Sequence, residues 1–284
     1  MRDDFACIVI SHGRPECSTV KVLRASGYTG KIFIVVDDED EKLPEYLEKY
    51  GEFVHVFHKV EDFDTGDLGG SMACGVFARN ECLKVAEQNE LTYYLELDDD
   101  CESLVFRYPD GDHLRGAKAR NLDKLFEAIC CYFDEAPIQY LGFGNPVDYI
   151  GGLPTFENGQ INPNRLVMNG YFLRTSNKLV WRARYSDDGI TVIDEAQKGH
   201  AGFRFNSVMQ KFDVWDPKRS GSKITGGSIA TYDNEGSYKM RFYAVMFHPD
   251  CEKLRTSGGG YIDSKNANAT YPKIISGRFK KSEG

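Results

Sequence analysis

The chain lacks most of the features that would place it at a glance. No apolar run approaches the roughly eighteen residues that a membrane helix needs, so no membrane span is expected. Positive charge is in the minority, with 35 Lys and Arg against 43 Asp and Glu and a formal net charge of -8. That balance speaks against a globally basic nucleic-acid binder. None of the 8 cysteines sits in a Cys-x-x-Cys pair. Cys7, Cys17, Cys74, Cys82, Cys101, Cys130, Cys131 and Cys251 are scattered, several inside apolar runs. The spacing argues against a disulfide frame or a zinc site and for a reducing cytosol. Met1-Arg2-Asp3-Asp4 lacks the basic-then-apolar plan of a signal peptide, and a cytoplasmic chain is expected. Internal repeats, low-complexity segments and linkers are also missing. A single domain over residues 1–284 is therefore expected, with a first half over 5–150 and a second over 151–284.

What is present begins with alternation. Phe5 to Ile10, Lys31 to Val36, Phe53 to Phe57 and Thr92 to Leu97 read as strands. Continuous apolar runs of this length fit strands buried on both faces. Helices are expected between them: one stopping near Gly27, a short one from Pro44 to Tyr50, and a longer one from Met72 to Gln88. Asn121 is placed to cap a helix whose apolar face is Leu122, Leu125, Phe126, Ile129 and Phe133. This order implies an α/β fold with a mainly parallel, mixed sheet flanked by helices. The second half is richer in Gly, Asn, Tyr and Phe. Leu166 to Met168, Tyr171 to Leu173, Phe203 to Phe205 and Arg241 to Phe247 look extended, and Asp187 to Gly199 looks helical. Gly258-Gly259-Gly260 suggests a mobile loop.

The chemistry-bearing residues cluster at the ends of these elements. Tyr93 to Leu97 runs straight into Asp98-Asp99-Asp100. Open α/β sheets bind ligands at the carboxyl ends of their strands. Carboxylates at i and i+2 there can share a hard divalent cation that keeps positions open for phosphate oxygens. A solvated acidic turn is the plain alternative. A second strand ends in Asp37-Asp38, where a carboxylate can accept hydrogen bonds from a base or ribose, or merely open a helix. Gly69-Gly70-Ser71-Met72 leads into the helix bearing Arg79. Glycine-rich turns admit phosphate to a helix N-terminus, and Arg79 could clamp a diphosphate or serve as a surface ion-pair partner. Asp187-Asp188 opens a helix, as a general base or simply as a capping pair. His248 follows the late extended run, where a neutral imidazole can complete a metal site or be structural.

Taken in order, these pieces resemble the GT-A glycosyltransferases. The stretches that carry the resemblance are Ile10-Ser11-His12-Gly13-Arg14-Pro15, Val36-Asp37-Asp38, Ala78-Arg79-Asn80, Leu97-Asp98-Asp99-Asp100, Asn169-Gly170-Tyr171-Phe172, Asp187-Asp188 and His248. The resemblance implies that Asp98, Asp100 and His248 bind Mn²⁺ or Mg²⁺. It implies that Ser11, Arg14, Asp37, Asp38, Arg79 and Asp99 hold a nucleotide-sugar donor, a UDP-sugar. The base would be Asp188 or Asp187, in an inverting hexosyl transfer; many family members have Glu-Asp where this chain has Asp-Asp. Residues 10–15, 30–40 and 261–276 are also similar to phage-type glycosyltransferases, including the TET-associated group that glycosylates hydroxymethylated pyrimidines in DNA. That resemblance implies 5-hydroxymethylcytosine in phage DNA as acceptor, and the host cytoplasm as location if the chain is phage-encoded.

An acidic chain meets DNA only through a local patch. Lys178, Arg182, Arg184, Lys218, Arg219, Lys223, Lys239 and Arg241 gather in the second half with Trp181, Tyr185 and Trp215, and Lys273, Arg278, Lys280 and Lys281 extend it. Other classes stay open. A glycan or protein hydroxyl could be the acceptor. A sugar-nucleotide nucleotidyltransferase would also put acids and a metal at a strand edge. It would carry a glycine-rich basic loop after the first strand, where this chain has only Gly13-Arg14. A non-catalytic binding module would not need Asp98, Asp100, Asp188 and His248 together.

Overall fold

A computed structural model describes residues 1–59, 75–157, 161–163, 166–212, 245–253 and 268–269. In chain order its elements are β1 (Phe5–Ile10), α1 (Ser18–Ala25), β2 (Lys31–Asp37), α2 (Leu43–Tyr50), β3 (Val54–Phe57) and α3 (Val76–Gln88). Then come β4 (Tyr93–Asp98), β5 (Cys101–Asp110), β6 (His113–Lys118), α4 (Leu122–Glu135), β7 (Tyr140–Gly144) and α5 (Leu153–Glu157). The remainder are β8 (Ile161–Pro163), β9 (Gly170–Arg174), α6 (Asp187–Gln197), β10 (Gly202–Phe212), β11 (Glu252–Lys253) and β12 (Asn268–Ala269). Among the described residues no helix is long and apolar enough to cross a membrane.

One ten-stranded sheet dominates, in the order β3-β2-β1-β4-β9-β7-β10-β5-β6, with β8 beside β10. The first half behaves as the alternating pattern requires. β3, β2, β1 and β4 are parallel neighbours, and α1 to α3 are the crossovers that parallel strands need. β4 then meets β9 antiparallel. β9 meets β7 antiparallel, β7 and β10 run parallel, and β5 and β6 close the edge antiparallel. The mixed sheet is thus parallel from β3 through β4 and largely antiparallel beyond β4.

β1 shows why the sheet is buried on both faces. Phe5, Cys7 and Val9 point to one side and pack with Leu122, Phe126 and Phe133 of α4 and with Phe172. Ala6 and Ile8 point to the other and pack with Val76, Phe77, Cys82 and Val85 of α3 and with Trp181. The period of two divides a wholly apolar run into two cores. Asn121 caps α4 as expected, its Oδ1 accepting from Lys124 N at 3.2 Å. Gly27 ends the α1 region at φ +82°, and a Cβ there would meet Arg120 O at 2.5 Å. The described cysteines are free, five of the seven buried.

Several features differ from the sequence reading, among them β7, a buried strand that was not expected. The β5–β6 hairpin is not visible as an apolar alternation, because most of its side chains from Pro109 to Lys118 are exposed. Its only local signal is Asp110-Gly111, with Gly111 at φ +56° in the turn. The late segment also departs from expectation. Residues 245–247 form a helical turn rather than the end of a strand, and 241–244 lie outside the described residues. Apolar runs this short are ambiguous between the two periods.

Candidate functional site

The acid triplet is pinned, not a loose solvated turn. β4 ends at Asp98 between β1, where Asp98 is level with Ile10, and β9. Thr19 of α1 fastens the turn from behind. Its Oγ1 donates to Asp98 O at 2.5 Å and accepts from Cys101 N at 3.0 Å. The three carboxylates then diverge. Asp99 is buried and accepts from Ser11 Oγ at 2.6 Å and Arg14 Nη1 at 2.9 Å. Asp100 is partly exposed, 3.5 Å from Arg14 Nη1. Asp98, also partly exposed, faces α3 and α6.

On that side Arg79 is the centre. Its side chain is only 7 % exposed. Nη1 donates to Glu96 Oε1 at 2.7 Å, Nη2 to Asp98 Oδ1 at 3.0 Å and Nε to Asp187 Oδ2 at 3.1 Å. The Trp181 ring lies 4.9 Å from the guanidinium. Asp187 and Asp188 occupy the first turn of α6, where the helix dipole favours negative charge. Tyr171 Oη lies 2.6 Å from Val167 O and 3.1 Å from Asp188 Oδ1. One hydroxyl proton cannot serve both oxygens, so both contacts are satisfied when Asp188 carries a proton and donates.

The electrostatics agree with that count. Four carboxylates surround one guanidinium. Burial pushes Glu96 up to about 7, with Arg79 opposing and Asp98 and Asp187 adding repulsion. Burial pushes Asp98 up to about 7 against the pull of Arg79, with Asp100, Asp99 and Asp187 repelling. Burial and the adjacent Asp187 hold Asp188 well above the usual carboxylate range. Burial alone would lower the basicity of Arg79, but Asp98, Glu96 and Asp187 outweigh it and keep it charged. Backbone strain gathers here too. Asn169, level with Asp98 across β9, has φ 63°, and Ala183 and Ser186 before α6 have φ 74° and 55°. Non-glycine residues in that region store strain that often accompanies function.

The donor-side residues form a second cluster along the same sheet edge. Asp37 ends β2, pairs with Lys59 and accepts from Glu39 N at 2.9 Å. Asp38 is more open, 2.8 Å from His58 Nδ1. Ser11 Oγ shares a 2.6 Å hydrogen bond with Tyr46 Oη, which accepts from Arg14 N at 2.7 Å. Asp40 is buried and accepts from Gly13 N at 2.7 Å. The loops after β1 and β2 are therefore laced together through Tyr46 and Asp40, neither of which the sequence reading singled out.

Some expected partners are not brought together. His248 is 3 % exposed, with Nε2 3.0 Å from Asp194 Oδ1. Asp194 lies six residues after Asp188, about 9 Å along the helix at 1.5 Å per residue. Because 245–247 is a helical turn, His248 does not leave a strand end toward Asp98 and Asp100. Among the described residues no group of three His, Cys, Asp or Glu is disposed to hold a metal ion. Arg79, expected as a diphosphate clamp, sits beside Asp98 but is engaged by acids of its own chain. Trp181 and Tyr185 are buried, and Arg182 is bound in a fork by Asp194 at 2.7 and 2.5 Å. Trp181 and Tyr185 are therefore not open nucleic-acid contacts, whereas the Arg182 side chain is paired but 42 % exposed. Lys178 remains exposed. Gly69 to Met72, Trp215, Lys218, Arg219, Lys223, Lys239, Arg241 and the basic tail lie outside the described residues. Glu96 was missed, although an acid inside the apolar run Leu95-Glu96-Leu97, two residues before Asp98, shares the face of Asp98 at the period of a strand.

A family model described as TET-associated glycosyltransferase matches residues 5–213. No curated protein matches the chain. Among solved structures the chain is similar to GalNAc-T7 with UDP, GalNAc and Mn²⁺. That likeness has a TM-score of 0.43 and 12% identity over 87% of this chain and 51% of that one. The chain thus spans about half the length of that protein.

Proposed function

The chain belongs to the TET-associated glycosyltransferase family, and we propose that it moves a hexose from a UDP-sugar to the hydroxymethyl group of 5-hydroxymethylcytosine in DNA. The observation that carries the transfer is the meeting of a strand-end acid, Asp98, and a helix-start acid pair, Asp187-Asp188, around one arginine. A donor-binding edge and a proton acceptor then face the same space.

In this reading Asp38 accepts hydrogen bonds from the nucleoside. It is the more exposed of the two acids after β2, whereas Asp37 is held by Lys59. Ser11, Arg14 and Asp99 shape the diphosphate side, with Asp99 fixing the Arg14 guanidinium. Asp98 and Asp100 fit a divalent cation. They are hard oxygen donors at i and i+2, neither is sealed from solvent, and a cation relieves the repulsion from Asp100 and Asp99 that adds to burial in raising Asp98. His248 is not counted among the ligands here, since it stands with Asp194. A bound cation would offset charge gathering on the departing diphosphate. Asp188, ionised, takes the proton of the acceptor hydroxyl. The hydroxyl oxygen attacks the anomeric carbon from the face opposite the diphosphate, the bond to the phosphate oxygen breaks, and the configuration inverts. A cytosine in duplex DNA would be flipped out to reach this site.

The test is direct. The purified chain with Mn²⁺ is offered UDP-glucose, UDP-GlcNAc and UDP-galactose, with hydroxymethylated and plain DNA as acceptors. The expected result is a hexose-sized mass gain on hydroxymethylated DNA alone. Transfer to a glycan or protein hydroxyl, with hydroxymethylated DNA untouched by every donor, overturns the DNA acceptor and keeps the transferase.

A further inference from the structure

We propose that Glu96 and Arg79 are a pair of positioning residues that hold Asp98 and the Asp187-Asp188 pair at a working distance, rather than residues that touch the donor. The inference rests on the glycosyltransferase reading above. Glu96 is the starting point. It is 0 % exposed, inside β4 between Leu95 and Leu97. A buried ion pair is weak evidence for stability, because an apolar pair of similar volume often does as well or better. Among the described residues only one of its carboxylate oxygens is used: Oε1 accepts from Arg79 Nη1 at 2.7 Å, and Oε2 has no partner. Such an acid fixes the guanidinium and does nothing else visible.

The planar fork explains what is gained. Three nitrogens reach three carboxylates on two elements: Glu96 and Asp98 of β4 and Asp187 at the start of α6. Trp181 closes the arrangement. Its ring lies 4.9 Å from the guanidinium and 4.6 Å from the Tyr171 ring at 87°, and Tyr171 Oη is 3.1 Å from Asp188. Arg79, Asp187, Asp188, Tyr171 and Trp181 thus form a closed ring of contacts. With Glu96 behind and Trp181 alongside, the guanidinium cannot turn without moving either β4 or α6. The strand-end acid and the helix-start acids are thereby set against each other by one rigid cation. Lysine would keep the charge but offers a single nitrogen on a flexible stem, which cannot span three acids in a plane.

The experiment uses the full chain with Mn²⁺ and four donors: UDP-glucose, UDP-GlcNAc, UDP-galactose and GDP-mannose. Donor cleavage is followed in wild type, Arg79→Lys and Glu96→Gln. A displacement of about 1 Å costs about 100-fold in rate. We expect kcat to fall by about that factor in Arg79→Lys, with the donor KM nearly unchanged, and by less in Glu96→Gln. A second readout needs no turnover: melting of Glu96→Gln, Asp187→Asn and the double variant, which should be non-additive because both acids act through Arg79. A KM that rises while kcat holds would make Arg79 a donor contact and overturn the inference. So would an unchanged kcat in folded variants, or additive melting shifts. If Glu96→Gln melts below the assay temperature, Arg79→Lys carries the kinetic test. Wild type that cleaves none of the donors overturns the transferase reading and this inference with it. Active wild type with unaffected variants sinks the inference alone.

Discussion

Replacing Asp188 with asparagine should lower activity while leaving the protein as stable or more so. The reason lies in the proton count around Tyr171. Its single hydroxyl proton faces Val167 O at 2.6 Å and Asp188 Oδ1 at 3.1 Å. With Asp188 ionised, one of those contacts sets two oxygens together without a hydrogen. Asparagine has nearly the same shape and can donate through its amide to Tyr171 Oη, while Tyr171 donates to Val167. The substitution also removes one of the four acids that share Arg79 as their counter-charge, and burial together with Asp187 already disfavours the charged form of Asp188. Exchanging a whole buried ion pair for apolar groups is neutral or stabilising by about 1–4 kcal/mol, whereas removing one partner is costly when it strands a charge; here Arg79 keeps Glu96, Asp98 and Asp187, so no charge is stranded. Taking the low end, about 1 kcal/mol corresponds to a rise of about 2–4 °C in Tm for a chain of this size. The loss of a general base costs about 100- to 10,000-fold in kcat. Differential scanning fluorimetry at pH 8 and a donor-turnover assay on the same sample measure both. A fall in Tm with turnover kept within a factor of a few would refute the reasoning on both counts. The base would then be Asp187 or another group.

Three further outcomes follow from the same geometry. Asp38→Ala should raise the donor KM without moving Tm, because its partner His58 is exposed. Asp37→Ala should lower Tm by removing the buried partner of Lys59 and leaving it only the exposed, longer contact with Glu39 at 3.4 Å; equal kinetic effects of the two would defeat the assignment of Asp38 to the nucleoside. Chelator should abolish turnover and added Mn²⁺ should restore it, whereas full activity in excess EDTA would remove Asp98 and Asp100 from the role of cation ligands. Burial would raise Asp194, but His248 and Arg182 outweigh it and hold it below the usual carboxylate value. A depressed carboxylate contributes stability above its unfolded pKa and loses it as pH falls through the folded one. Asp194→Asn should therefore melt lower than wild type at pH 6, on the order of 1 kcal/mol given that Arg182 is 42 % exposed. The gap should close as pH falls below the ordinary carboxylate range and Asp194 takes up its proton; a gap that persists in acid would show that packing, not charge, is responsible.

The local text of the chain was sufficient for the first half. Apolar runs at Phe5, Lys31 and Tyr93 alternate with helical patterns, which favours strands buried on both faces, so the parallel block and the position of Asp98 at its carboxyl edge were legible. So were the Asn121 cap and the acids opening α6, since each is a statement about neighbours within one turn. The β5–β6 hairpin was not legible, because an exposed ribbon has no apolar alternation to read. The late turn before His248 was not legible either, because a handful of apolar residues fits a helix as well as a strand. The site itself divided in the same way. The sequence determined which carboxylates could stand at element ends. Only the tertiary structure decided which cation they share. Glu96, Asp98 and Asp187 meet at Arg79 because α3 packs on the sheet face over β4 and its arginine reaches both that strand and the start of α6, a contact that joins residues up to 108 positions apart. His248 went to Asp194 for the complementary reason. A long-range side-chain contact depends on how elements pack, and no spacing along the chain encodes it.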